Sequence, residues 1–136
     1  MRLMPSVLAI CLSFLPACAQ TPIKGETEYR TALARAKAEG KPLFVFLWTG
    51  YSPQCLHIQR EVLPSAEAQA ALAGFIAISV QIHTETKLEI RENRLLARRW
   101  NLSVFPTFLI LGSDGRELKR REEILHTGSE LVEWLK

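Results

Sequence analysis

Cysteine is scarce in this chain, and its positions make it scarcer. Of three cysteines, Cys11 and Cys18 lie in the first twenty residues, so residues 19–136 hold Cys55 alone. One cysteine excludes an intramolecular disulfide there, and it excludes a structural zinc knuckle, which needs several such ligands. Charge of one sign is also short. Of 17 basic residues only Arg2 precedes Cys18, which leaves 16 against 14 acidic ones, a net of +2 and too little to argue for nucleic acid. Arg91, Arg94 and Arg98 share a helical face and Lys119-Arg120-Arg121 form a short basic run, both read as solvated surface. No internal repeat or low-complexity segment occurs, and no apolar run reaches the roughly 20 residues that cross a bilayer.

What is present is enough for one globular domain: 136 residues, 48% hydrophobic and 23% charged. The first twenty residues differ in kind. Arg2 forms a thin basic region, Val7 to Leu15 an apolar stretch, and Ala17, Cys18 and Ala19 a small-residue site, the pattern of an export signal. Leu15-Pro16-Ala17-Cys18 resembles a bacterial lipoprotein signal, with Cys18 as the lipidated residue and Pro16 as a departure from the usual small residue. Ala17-Cys18-Ala19 also fits ordinary secretory cleavage. Either route places the domain in the bacterial cell envelope, in the periplasm, where disulfides persist. The expected organisation is an export signal over 1–18, a tether over 19–25 and one domain over 26–136.

Along that domain, Tyr29, Ala32, Leu33 and Ala36 give the stripe of an amphipathic helix from about Glu26 to Glu39, closed by Gly40 and Pro42. Leu43 to Trp48 is a continuous apolar run, which predicts a strand buried on both faces. Ser52 then suits a helix N-cap and Pro53 the first helical position, with Cys55 at the third. That helix carries Ile58, Val62 and Leu63 inward and breaks at Pro64, and Ser65 caps a second piece through Leu72. Phe75 to Ile82 reads as a strand, apolar at first and alternating toward its end. Thr86-Lys87-Leu88-Glu89 has capping-box spacing, with Leu88, Leu95, Leu96 and Trp100 as the apolar stripe of the helix that follows. A strand over Phe108 to Leu111, a Gly112-Ser113-Asp114-Gly115 turn and a charged edge strand over Arg116 to Arg120 come next. Thr127 to Glu130 opens a last helix whose Leu131, Trp134 and Leu135 pack on the sheet. The order predicts an α/β sandwich around a sheet of mixed direction.

Lys41-Pro42 before the buried strand, Trp48-Thr49-Gly50 leading to Ser52-Pro53-Gln54-Cys55, Val104-Phe105-Pro106-Thr107, and Asp114-Gly115 occur in the order of the thioredoxin fold. Over residues 26–135 the chain resembles the periplasmic thioredoxin-like branch, which includes the C-terminal domain of the thiol:disulfide interchange reductase. The resemblance implies a three-layer α/β/α sandwich with a cis-proline loop at Pro106, preceded by Phe105. In that family the residue before the proline pairs its backbone with an extended client, and aromatic residues at the places of Trp48 and Tyr51 form an apolar platform with Pro53.

The departure from the family is Ser52, which stands where the first, nucleophilic cysteine of a C-x-x-C pair belongs. A serine hydroxyl needs an adjacent base, and His57 is five residues away on another side of the helix, so Ser52 reads as a helix cap. Cys55 keeps three readings: a buried inert thiol, a monothiol forming mixed disulfides, or a metal ligand. His57 does not share its helical face, which weakens the last, and His83 and His126 read as ordinary surface or core residues. The expected function is therefore a cell-envelope protein that binds protein clients or a membrane redox partner without dithiol exchange. The alternative is a single-cysteine thiol-disulfide oxidoreductase using Cys55. Neither needs a metal or another cofactor.

Overall fold

The computed structural model describes residues 25–82 and 87–136, with side chains over 28–82 and 93–136. Helix α1 spans Gly25–Glu39, strand β1 Leu43–Trp48, α2 Pro53–His57, α3 Ala66–Leu72, β2 Ile76–Gln81, α4 Lys87–Arg99, β3 Thr107–Leu111, β4 Glu117–Arg121 and α5 Gly128–Leu135. Gly25 thus belongs to the first helix rather than to a tether. The proposed signal, Cys18, the capping-box Thr86 and His83 lie outside the described residues.

The four strands form one sheet in the order β2-β1-β3-β4, with β1 parallel to β2 and antiparallel to β3. This is the sheet of mixed direction expected from the element order. β1 is central because its side chains are apolar on both faces. Leu43, Val45 and Leu47 enter one core with Tyr29, Ala36, Leu96 and Trp100, under α1 and α4. Phe44 and Phe46 enter the other with Cys55, Ile58, Phe108, Leu125 and Leu131, under α2, α3 and α5. The sequence pattern predicts β2 to be apolar through its first half. Along it buried and half-buried residues alternate over the whole length, because it is an edge strand with one face on the α1–α4 core.

Two further expectations are corrected by packing. Leu95, placed by its spacing in the apolar stripe of α4, is 47% exposed, while Asn93 is buried one turn before Leu96. The inward stripe is set by Asn93, Leu96 and Trp100, and Leu95 falls outside its arc. The helix after Cys55 does not run regularly to Pro64. From Ile58 to Val62 it widens to a π-type turn, in which the Leu63 N–H donates to the Ile58 carbonyl at 2.9 Å, five residues back. Ser65 then caps α3 by accepting from the Ala68 N–H at 3.3 Å.

The charged edge strand is tied back at several points. Arg120 donates to the Trp100 carbonyl at the end of α4 and to Glu117 Oε1, at 3.0 Å through Nε. The hydrogen bond with Glu117 is the main reason its guanidinium pKa is raised. At the hairpin, Gly115 has φ +86°, and a Cβ there would lie 2.8 Å from the Tyr29 hydroxyl, so turn and helix meet where only glycine fits without strain.

Candidate functional site

Strand pairing assembles the site. In the antiparallel β1–β3 register Leu47 faces Thr107, so the residues after Trp48 and those before Thr107 meet at one end of the sheet. β4 runs back along β3, with Arg121 opposite Phe108, and so delivers the segment 122–127 to the same end. The site is built from three stretches far apart in sequence.

The first is the helix start. Ser52 has extended backbone (φ −93°, ψ 117°), and its Oγ accepts from the Cys55 N–H at 3.3 Å and donates to Gln54 Oε1 at 3.0 Å. Pro53 occupies the first turn, where no N–H is needed, and is exposed. Ser52 is therefore the N-cap of α2, an interaction worth about 1 kcal/mol. Its hydroxyl is committed to the cap and to Gln54, and neither partner is a base. His57 is turned elsewhere: its Nε2 meets the His126 carbonyl at 3.0 Å, which requires the proton on Nε2 and ties α2 to the segment before α5. His126 and Thr127 complete a cap at that helix, where the His126 N–H donates to Glu130 Oε2 and Thr127 Oγ1 accepts from the Glu130 N–H.

Cys55 is free and 0% exposed, packed with Ile58, Phe46 and Phe108. Of the three readings left open by the sequence, burial favours the inert thiol, since both attack on a disulfide and metal binding require access. Among the described residues no three His, Cys, Asp or Glu side chains converge as a metal site. In the folded protein Cys55 is expected to react with a small thiol reagent at least about a thousandfold more slowly than in the unfolded chain, because only opening exposes it. Labelling followed by mass measurement, with and without denaturant, checks this; native labelling at the rate of an exposed thiol would show that the sulfur is reachable.

The second stretch is the proline loop. The Phe105–Pro106 peptide is cis. Thr107 fixes the loop by donating from Oγ1 to the Val104 carbonyl at 2.7 Å. Phe105 is half-buried and packs against both cores, and Pro106 itself is buried, so the accessible surface here comes from its neighbours. Val104, which the sequence gives only as the first residue of the Val104-Phe105-Pro106-Thr107 segment and without a role, is 42% exposed, and Tyr51 is 82% exposed. The signal that could have marked it is an apolar residue immediately ahead of an aromatic-proline pair.

Trp48 closes the floor. It is half-buried, stacked on Phe46 with centroids 6.2 Å apart, and its Nε1 is buried without a hydrogen-bond partner. Beside it, a Cβ on Gly50 would lie 2.7 Å from Gln81 Nε2, so the loop passes directly over the end of β2. Asn93 holds that strand end from α4, donating to the Gln81 carbonyl at 2.8 Å and to the Ile82 carbonyl at 3.3 Å. The structure thus brings Trp48, Tyr51, Ser52, Pro53, Cys55, Phe105 and Pro106 to one end of the sheet. It leaves the imidazole of His57 engaged with His126.

A mixed sheet between two helical layers, with a capped helix start facing a cis-proline loop, defines a small α/β domain of the thioredoxin class. The chain belongs to the thioredoxin-like domain family, whose model matches residues 29–136. No curated protein matches it in sequence. Among solved structures it is similar to the DsbH oxidoreductase, at 20% identity over 90% of this chain and 88% of that one, with a TM-score of 0.64. It is also similar to the C-terminal domain of Neisseria meningitidis DsbD in its oxidised form (16% identity, 84% and 96% covered, TM-score 0.68). A thioredoxin from Thermus thermophilus matches at 27% identity over 79% and 80% of the chains, with a TM-score of 0.62.

Proposed function

We propose that this is a thioredoxin-like protein of the bacterial cell envelope that binds extended segments of protein clients, or a membrane redox partner, without carrying out dithiol exchange. The observation that carries this reading is the full burial of Cys55 beneath a helix start capped by Ser52. A two-thiol cycle needs an exposed nucleophile and a second sulfur to resolve the mixed disulfide. This chain lacks the first at the motif and keeps only the buried Cys55 in the place of the second, yet it keeps the surrounding face. Tyr51, just before the helix start, and Val104, in the proline loop, expose apolar area, and the backbone of that loop suits strand addition, with Trp48, Pro53, Phe105 and Pro106 around it. The relatives described as DsbH oxidoreductase and DsbD C-terminal domain support a place in thiol-disulfide metabolism and in the envelope. Lipidation at Cys18 would hold the domain at a membrane. The monothiol alternative gains nothing from a sulfur with no exposed surface.

The test uses a reduced, alkylated, unfolded protein as the client. Wild type and Cys55→Ala are expected to bind it equally, because no sulfur takes part, and Tyr51→Ser combined with Val104→Ser to weaken binding about fivefold or more through lost apolar contact. Loss of binding in Cys55→Ala, with Tyr51→Ser and Val104→Ser silent, would overturn the reading.

A further inference from the structure

The two helical layers differ in charge. On one face, α1 and α4 hold eight basic against five acidic residues, a net of +3, and their described side chains include Arg30, Arg35, Lys37, Arg94, Arg98 and Arg99. On the other, Arg60, Lys119, Arg121 and Lys136 stand against Glu61, Glu67, Glu130 and Glu133, because Lys119 lies over the Trp134 ring of α5, Arg121 lies beside Glu130 and Glu133, and Lys136 bonds Glu133 at 2.8 Å, so the charges there balance. The excess of positive charge is therefore concentrated on the α1–α4 face. All six basic residues named there are exposed, and Leu95, 47% exposed, lies between Arg94 and Arg98 on α4. Arg35 is partly engaged by Glu39 at 2.7 Å, and Arg99 lies over the Tyr29 ring at 4.8 Å, leaving Arg94 and Arg98 as the centre of the patch.

We propose that the α1–α4 face docks on an anionic phospholipid surface. Basic side chains near such a surface release counterions and gain attraction that adds up charge by charge, and an exposed leucine among them can enter the headgroup boundary. The charges spread over two neighbouring helices with an apolar residue in their midst, which suits a fluid, extended anionic plane better than a shaped acidic protein. The opposite layer, whose charges balance, gains no such attraction, so the domain settles with one orientation. Because α2 belongs to that opposite layer, Ser52 and the helix start face solution. The proposal does not depend on the chemistry of Cys55 or on client binding.

The full chain is mixed with vesicles of phosphatidylcholine alone and with vesicles in which roughly a third of the lipid is phosphatidylglycerol, and bound protein is measured after sedimentation. Neutral vesicles account for binding through the apolar N-terminal run. The expected result is about tenfold or greater excess binding to the anionic vesicles, removed by high salt. Arg94→Glu with Arg98→Glu should abolish that excess, while Arg60→Glu with Lys136→Glu, an equal change of charge on the opposite side, should leave most of it. Equal binding to both vesicle types would overturn the proposal, as would equal loss in the two double variants, which would mean that net charge alone is read. Preference for soluble polyglutamate over the anionic vesicles would assign the face to an acidic protein instead. Circular dichroism of each variant establishes that it is folded.

Discussion

Ser52→Cys is expected to raise the reduction of insulin disulfides from background by about a hundredfold or more, which makes it the most informative single substitution in this protein. The introduced sulfur would stand at the N-cap of α2, where Ser52 already sits half-buried with its side chain directed at the helix N–H groups. A thiol there has its pKa lowered by the helix terminus, so a useful fraction is thiolate at neutral pH. The cycle then balances. The introduced thiolate attacks one sulfur of the client disulfide, forming a mixed disulfide and releasing a client thiolate. Cys55 attacks the introduced sulfur and frees the second client thiol, leaving the domain oxidised and the client reduced by two electrons, with an added dithiol such as dithiothreitol to reset it. Burial of Cys55 does not prevent this step, since its target is a neighbouring atom of the same motif rather than a client. Loss of the serine cap costs about 1 kcal/mol, too little to unfold a domain of ordinary stability. A variant no faster than wild type would mean that the site has lost its geometry as well as a sulfur.

Phe108→Ala is expected to destabilise the domain by about 3–5 kcal/mol, measured as a lower urea midpoint at unchanged slope. Phe108 is fully buried in β3, stacked on Phe46 at 5.2 Å and tilted against Phe44 and Trp134 at 6.2 Å each. Truncation removes a large, fully buried side chain at the meeting of the sheet and α5, and the rings around it are held by their own strands and helix, so the cavity can close only in part. Against a total of about 5–15 kcal/mol, that is a large share. The effect should reach the site, because Phe46 lies between Phe108 and Trp48. Cys55 should therefore label faster in Phe108→Ala than in wild type. A loss below about 1 kcal/mol would show that the aromatic stack is not the centre of this core.

Much of the domain is legible in the sequence because its signals are local. Leu43 to Trp48 has no polar residue and so must lie inside a sheet, and it does, as the central strand. Ser52, Ser65 and Thr127 each mark a helix start by the chemistry of one side chain, and each caps as expected. Where local pattern does not decide, the deciding contact is distant. The burial pattern of β2 depends on its place at the sheet edge, and the exposure of Leu95 on the angle at which α4 meets α1 and the sheet.

By itself the sequence determined that residues 19–136 carry a single sulfur, that the motif lacks its nucleophile, and that a helix begins at Ser52 all the same, because composition and capping need nothing beyond a few adjacent residues. Only the tertiary structure decided that Cys55 is sealed off, that Val104 and Tyr51 are exposed, and that the basic helices α1 and α4 lie on one side of the sheet. The physical reason is that burial and proximity are fixed by strand pairing between segments far apart in the chain. The antiparallel register of β1 and β3 brings the helix start and the proline loop together, and no local pattern of residues encodes that register.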